Sequence, residues 1–403
     1  MKKTIVLSFA LLIATTFLAG AQQARPATPQ GNELNFTILK QNPITPVKNQ
    51  ASSGTCWCFS TISFFESEAI RLGCKDPDLD LAEMFIVSKS YADKAEKFIR
   101  VGGFLNYAQG SSASDAKITM QKYGIVPEAA MPGLNYGETT HKHGELEAGL
   151  KGFLDAIVKN PNRKLTTAWH NALEGILAAY LGDIPTTFQY KGKTYTPQSY
   201  FQTLNLNLDD YIDLTSFTHH PFYTKFAIEV QDNWRWAESY NIPLDELIEV
   251  MYNAINNGYT LAWGADVSES GFNRQGLGTM KDVAAVEEIG SDQARWVGVT
   301  EQDRARQMEQ LRNNPPEMKV TQEMRQIAFD NQQTTDDHGM HVFGTAVDQN
   351  GLKYFMVKNS WGDASTYKGI WYVTEAYFRY KTLNIMVHKD AIPAAIKAKL
   401  GIK

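Results

Sequence analysis

Three residues of this sequence could together supply a nucleophile, a proton carrier and an orienting amide: Cys56, His338 and Asn359. Cys56 lies in the run Gln50-Ala51-Ser52-Ser53-Gly54-Thr55-Cys56-Trp57-Cys58-Phe59-Ser60. Gly54 and its small neighbours let the backbone turn tightly, and the spacing predicts a helix that opens at the cysteine. A cysteine there feels the positive end of the helix macrodipole, which favours the thiolate, the reactive form. Attack on a carbonyl creates an oxyanion that needs donors. Gln50, six residues upstream, can offer its side-chain NH₂, and Cys56 its backbone N–H. A buried structural cysteine is the commoner fate of a lone Cys. The combination with Gln50, Gly54 and Trp57 argues for the nucleophile.

Near the C-terminus stand Asp337-His338-Gly339-Met340-His341 and then Val357-Lys358-Asn359-Ser360-Trp361-Gly362. An imidazole must pair with the thiol, and an amide oxygen can fix that imidazole by accepting its other N–H. Trp361 can shield the contact from water. His341 competes for the role, but three residues along an extended strand it faces the other side. One local signal opposes the assignment. Asn350-Gly351 is a strong two-residue hairpin turn, which would pair Gln349 with Leu352 and set His338 opposite Asp363. The chemistry needs His338 nearly opposite Asn359, so a wider loop or a bulge is expected around residues 347 to 352.

In this order, the Gln50…Cys56-Trp57 segment, Asp337-His338 and Asn359-Ser360-Trp361-Gly362 resemble the papain superfamily of cysteine peptidases. The distance from Cys56 to His338, 282 positions, is far longer than in papain. That length resembles the bleomycin hydrolase/aminopeptidase C branch, as do Gln109-Gly110-Ser111, Gln121 to Pro127, Trp263 to Val267 and His338-Gly339-Met340. The resemblance implies hydrolysis of peptide bonds through an acyl-enzyme on Cys56, with no cofactor. It also implies Gln109, Gly110, Ser111 and Gly339 as substrate-binding residues and an aminopeptidase as the activity. A secreted endopeptidase and an inactive peptide-binding scaffold are the alternatives. Branch members are typically hexamers whose C-terminal arm runs along the cleft. Here only 15 residues, Lys389 to Lys403, follow the last expected strand, Thr382 to His388, and they read as a helix from Ile392 to Leu400 with Gly401 as its cap.

The fold expected from the helical front, the β-rich back and the resemblance is α+β: a helical half bearing Cys56, a β-barrel-like half bearing His338 and Asn359, and a mostly helical insertion on the former. Residues 41–129 read as the helical half, 130–250 as the insertion and 251–403 as the β-rich half. Within them, helical spacing covers Trp57 to Leu72, Leu81 to Lys97, Ser114 to Tyr123, Glu145 to Lys159, Ala168 to Leu181 and Pro243 to Asn256. Strands are expected over Thr260 to Val267, His341 to Val347 and Leu352 to Lys358.

The remaining chemistry is bland. Cys58 and Cys74 would be roughly 24 Å apart on a straight helix, whereas a disulfide needs Cα atoms within about 7 Å. All three cysteines therefore read as thiols. His141, His143, His219 and His220 lack Cys or acidic partners at ligand spacing and read as core or surface histidines, not metal ligands. Gly192-Lys193-Thr194 mimics the end of a phosphate loop, but Thr187 stands where its first glycine belongs.

At the N-terminus, Lys2-Lys3, the apolar run Thr4 to Leu18 and Ala19-Gly20-Ala21 form a signal-peptide pattern over residues 1–21, followed by an extended leader over 22–40. The protein is thus expected to be exported, periplasmic or secreted. Only 34 residues separate Ala21 from Cys56, so activity without removal of a long prosegment is expected. Without residues 1–21 the chain carries 37 basic and 44 acidic residues, a net charge of −7, and no basic stripe suited to nucleic acid. No later segment is apolar enough to cross a membrane.

Overall fold

The computed structural model describes residues 34–162, 164–291, 295 and 297–403. The signal-peptide pattern and the leader as far as residue 33 lie outside them. The leader's last residues do form structure: β1 (Phe36–Gln41) pairs antiparallel with a strand three hundred residues downstream. Gly54 and Thr55 then release the chain into α1 (Cys56–Arg71), where every residue from Trp57 to Ala69 is buried. A helix buried on all faces runs through a core rather than along a surface, and its buried Glu66 and Glu68 are held there by hydrogen bonds. Helices α2 (Glu83–Arg100) and α3 (Ala113–Tyr123) pack beside it. Helix α3 starts in a capping box, Ser112 with Asp115, and stops at Gly124, whose φ of 77° a side chain would resist.

The next elements are α4 (Gly144–Val158) and α5 (Ala168–Leu181). Their buried leucines recur every fourth residue, Leu146, Leu150 and Leu154 in one and Leu173, Leu177 and Leu181 in the other, and both helices contact α2. A small hairpin, β2 (Phe188–Tyr190) with β3 (Lys193–Tyr195), and the short α6 (Pro197–Gln202) follow. From Tyr211 the chain leaves the helical pattern. Strands β4 (Tyr211–Thr215), β5 (Lys225–Ala227) and β6 (Glu238–Asn241) join the main sheet. Helix α7 (Leu244–Asn256) buries its apolar face against that sheet's core.

The last third supplies β7 (Leu261–Ala265), β8 (Phe272–Asn273), β9 (Leu277–Gly278), α8 (Val283–Ser291), α9 (Glu301–Asn313) and α10 (Gln322–Asp330). It continues with β10 (His338–Asp348), β11 (Lys353–Lys358), β12 (Ile370–Thr374), α11 (Glu375–Lys381), β13 (Thr382–His388) and α12 (Ala394–Leu400). The sheet runs β5-β6-β4-β13-β7-β10-β11-β12-β9-β8, with β1 added on β10. Among the described residues its two ends do not meet. The fold is α+β as expected, but the β-rich half is an open, mixed sheet and not a closed barrel. Helix α12 ends at Gly401 in the left-handed region and buries Ile396 and Leu400 in the sheet half. Among the described residues, no helix is long and apolar enough to span a membrane.

The β10–β11 register resolves the hairpin conflict. Asp348 Oδ1 accepts from the N–H groups of Asn350 (2.8 Å) and Leu352 (2.9 Å), and Asp348 N donates to Leu352 O at 3.0 Å. This side-chain turn makes the loop three residues, Gln349 to Gly351, instead of two. A second shift lies outside the expected 347–352 window. Val342 pairs with Val357 but Gly344 with Met356, leaving Phe343 as a bulge. The two offsets together bring His338 two residues closer in register to Asn359.

Candidate active site

Cys56 is the first residue of α1, so its N–H and that of Trp57 belong to the orphan donors of a helix start. His338 opens β10, and Gly339 lets that strand approach α1. A Cβ at Gly339 would lie 2.8 Å from Ser60 Oγ and 3.1 Å from the Trp57 Cα. Cys56, Gly339 and His338 line one cavity of ≈ 340 Å³. His338 Nε2 bonds to Asn359 Oδ1 at 2.8 Å, which makes Nε2 the protonated nitrogen and leaves Nδ1 as the basic one. The Asn359 amide oxygen also accepts from Ser360 N at 2.8 Å, which holds it in place. The Trp361 ring stacks on the imidazole, with centroids 4.7 Å apart. His341 points elsewhere. It is fully buried and bonds through Nδ1 to Ser63 Oγ at 2.9 Å, on α1.

Electrostatics set the resting state. Burial pushes the Cys56 thiol up to about 12, and Asp336 and Asp232 add to the rise against backbone hydrogen bonds from Gly339 and Trp57. Burial pulls His338 down to about 4. Burial and the two carboxylates thus oppose the helix N-terminus at the sulfur, and burial likewise disfavours a charge on His338.

The other expected site residues separate into free and committed groups. Gln50 is buried and does not line the cavity. Its Nε2 donates to Ser53 O at 2.7 Å and its Oε1 accepts from Ser360 Oγ at 2.5 Å, so one of its two amide hydrogens remains for a ligand. Gln109, Gly110 and Ser111 all line the cavity. The Gln109 side chain, however, accepts from Gly54 N (2.6 Å) and donates to Glu147 (2.6 Å), and Ser111 Oγ is shared between Asp115 and Trp234 Nε1 (2.7 Å each). What these three can offer a substrate is backbone. Asp232 and Asp336 also line the cavity, and reading the sequence missed both. No local motif marks them.

All three cysteines are free thiols, and Cys58 Sγ donates to Glu83 O at 3.3 Å. The histidine pair gains an acidic partner that the spacing hid. His219 Nε2 and His220 Nε2 each lie 3.0 Å from a Glu229 oxygen. Gln326 Nε2 donates to His219 Nδ1 at 3.1 Å, its amide fixed by Thr218 N and Asp330. His219 Nε2 therefore carries the proton and donates it to Glu229, which accounts for the cluster as hydrogen bonds.

Comparison with known proteins gives the chain's family. The Peptidase C1-like family model matches residues 115–294 and 316–402, and the Papain family cysteine protease model matches residues 33–160. Aminopeptidase G of Lactobacillus delbrueckii subsp. lactis is 23% identical over 396 residues, spanning 86% of this chain and 82% of that protein. Bleomycin hydrolase of Rattus norvegicus is 22% identical over 426 residues, spanning 93% and 87%. The crystal structure of PepW from Lactobacillus rhamnosis superposes with a TM-score of 0.67 at 20% identity, covering 91% of this chain and 84% of that one. The fold, the cavity and the family match over more than half of the sequence lead to one conclusion: the chain belongs to the Peptidase C1-like family and is a papain-type cysteine peptidase.

Proposed function

We propose that this protein is an exported aminopeptidase that removes N-terminal residues through a thioester on Cys56. The observation that carries the reading is the cavity itself, where a cysteine at a helix start and a histidine held by an asparagine meet. In the proposed reaction, His338 Nδ1 takes the thiol proton as sulfur attacks the scissile carbonyl. The Cys56 N–H and the second Gln50 amide hydrogen receive the oxyanion. The imidazolium then protonates the departing amine, and the neutral imidazole activates the water that frees the acid. Asn359 keeps the ring oriented, and Trp361 covers that contact. The names of the relatives support the exopeptidase activity, and the pattern of Lys2 to Ala21 supports export.

One observation favours the endopeptidase reading instead. The described C-terminal residues pack into the sheet half as α12, and none of them lines the cleft, so they do not act as an arm along it. Hydrolysis of a peptide with a free amine is to be compared with that of its N-acetylated form. An aminopeptidase trims the first and spares the second. Internal cleavage of the acetylated peptide at an equal rate would refute the reading.

A further inference from the structure

The groups of the cavity that the reaction leaves unused point to how a substrate is selected. Asp232 and Asp336 border the same space as Cys56, both half-buried. Among the described residues neither makes a hydrogen bond or an ion pair. The Lys94 charge reaches Asp232, but its ammonium donates to the carbonyls of Ala108 (3.0 Å) and Gly110 (2.8 Å) and makes no ion pair with the carboxylate. Glu147 is committed to Gln109. Ser239, only 3% exposed, also lines the cavity, and its hydroxyl has no protein partner among the described residues. Partly desolvated carboxylates without partners are costly to keep unless something brings them a counter-charge.

Asp232 is also held where it stands. Its neighbours Trp234 and Arg235 pin the segment in place, Trp234 through Ser111 in the loop before α3 and Arg235 through Asp93 of α2 (2.8 Å) and Asp115 of α3 (2.9 Å). Asn233 closes the segment on itself with bonds to Ile228 O (3.1 Å) and Ala237 O (3.0 Å). The Asp232 carboxylate lies against Gly110, where any side chain would overlap it. The α-carbon of an N-terminal residue carries both its ammonium group and the carbonyl that Cys56 attacks. A carboxylate in the nucleophile's own cavity is placed to receive that ammonium.

We propose that Asp232, together with Asp336, binds the α-ammonium group of the substrate and thereby restricts cleavage to the first peptide bond, with the Ser239 hydroxyl as a further acceptor. This rests on the aminopeptidase reading above. Burial, with Asp232 and Asp337 alongside, raises the Asp336 carboxyl to about 8, and a cation beside it would lower it again. An arriving ammonium would also offset the carboxylates' share of the rise at Cys56, which is due first to burial.

The test uses aminoacyl 4-nitroanilides with free and acetylated amines, on wild type, Asp232→Asn and Asp336→Asn, each normalised by titrating Cys56 with an epoxide inhibitor. In both variants KM for the free amine rises on the order of tenfold or more, kcat changes far less, and the preference for free over acetylated substrate falls in proportion. A purely structural role would slow both substrates alike. If wild type prefers the free amine and neither variant alters that preference, the ammonium site is wrong and the aminopeptidase reading stands. If wild type cleaves both substrates equally, that reading fails and takes the site with it. Should Asp232→Asn give no titratable enzyme, Asp336→Asn decides, since its carboxylate has no hydrogen bond to lose.

Discussion

Around His338, from β10 to Trp361, the polar groups have been given partners: Nε2 has Asn359, the Asn359 oxygen has Ser360 N, and the ring has Trp361. Left over, among the described residues, are the imidazole Nδ1 and the buried Asn359 Nδ2. Along the segment from Ile228 to Ser239, which lines the same cavity, the scaffold is equally well tied, through Asn233, Trp234 and Arg235, yet among the described residues the Asp232 and Ser239 side chains make no hydrogen bond. The first region holds a group so that it can move a proton. The second holds groups so that they can wait for a charge. A pre-organised reaction centre and a pre-organised binding site thus look different: one orients a basic lone pair, the other leaves a carboxylate without a hydrogen bond.

The largest expected effects fall on the first region. Cys56→Ser and His338→Ala lose turnover by at least about 10⁴-fold, as when a member of a comparable catalytic set is removed. His341→Ala, Cys58→Ser and Cys74→Ser stay within a few-fold of wild type in steady-state hydrolysis. His341→Ala lowers the melting temperature, because it leaves Ser63 unpaired in the core. Equal losses in the His338 and His341 variants would erase the contrast between a strand face that reacts and one that packs.

Next in size is Gln50→Ala, which lowers kcat by on the order of 10²-fold if its second amide hydrogen meets the oxyanion. Asn359→Ala loses less than His338→Ala, since it orients the base without moving a proton. A Gln50 variant with unchanged kcat would confine that residue to its bonds with Ser53 and Ser360.

The smallest effect sharpens the comparison most. Carboxylates beside Cys56 disfavour its thiolate, so Asp336→Asn shifts the pH profile of Cys56 alkylation by iodoacetamide to lower pH. The sign follows from removing a negative charge from beside an anion. A profile that stays in place would mean that Asp336 and Cys56 do not sense one another.

The first region was legible in the sequence and the second was not, for a physical reason. Cys56 with Gln50 and Trp57, and His338 with Asn359, carry their chemistry in local patterns, and α1, α5 and β10 follow from periodicity. Asp232 acquires a role only through Trp234 and Arg235, whose partners Ser111, Asp93 and Asp115 lie more than a hundred residues away. The strands from Tyr211 to Asn241 were hidden likewise, because they are short and complete an edge supplied by β13. The wider loop expected at residues 347 to 352 is present because Asp348 takes the backbone N–H groups of Asn350 and Leu352, whereas the Phe343 bulge has no sequence mark at all.

The central claim is that hydrolysis passes through a thioester on Cys56. Rapid quenching with an aminoacyl ester, followed by peptide mass spectrometry, tests it directly. The account predicts an acyl adduct on Cys56 that forms and decays at rates consistent with turnover, and none on Cys58 or Cys74. Turnover that continues in Cys56→Ser, or an adduct carried by another residue, would contradict it.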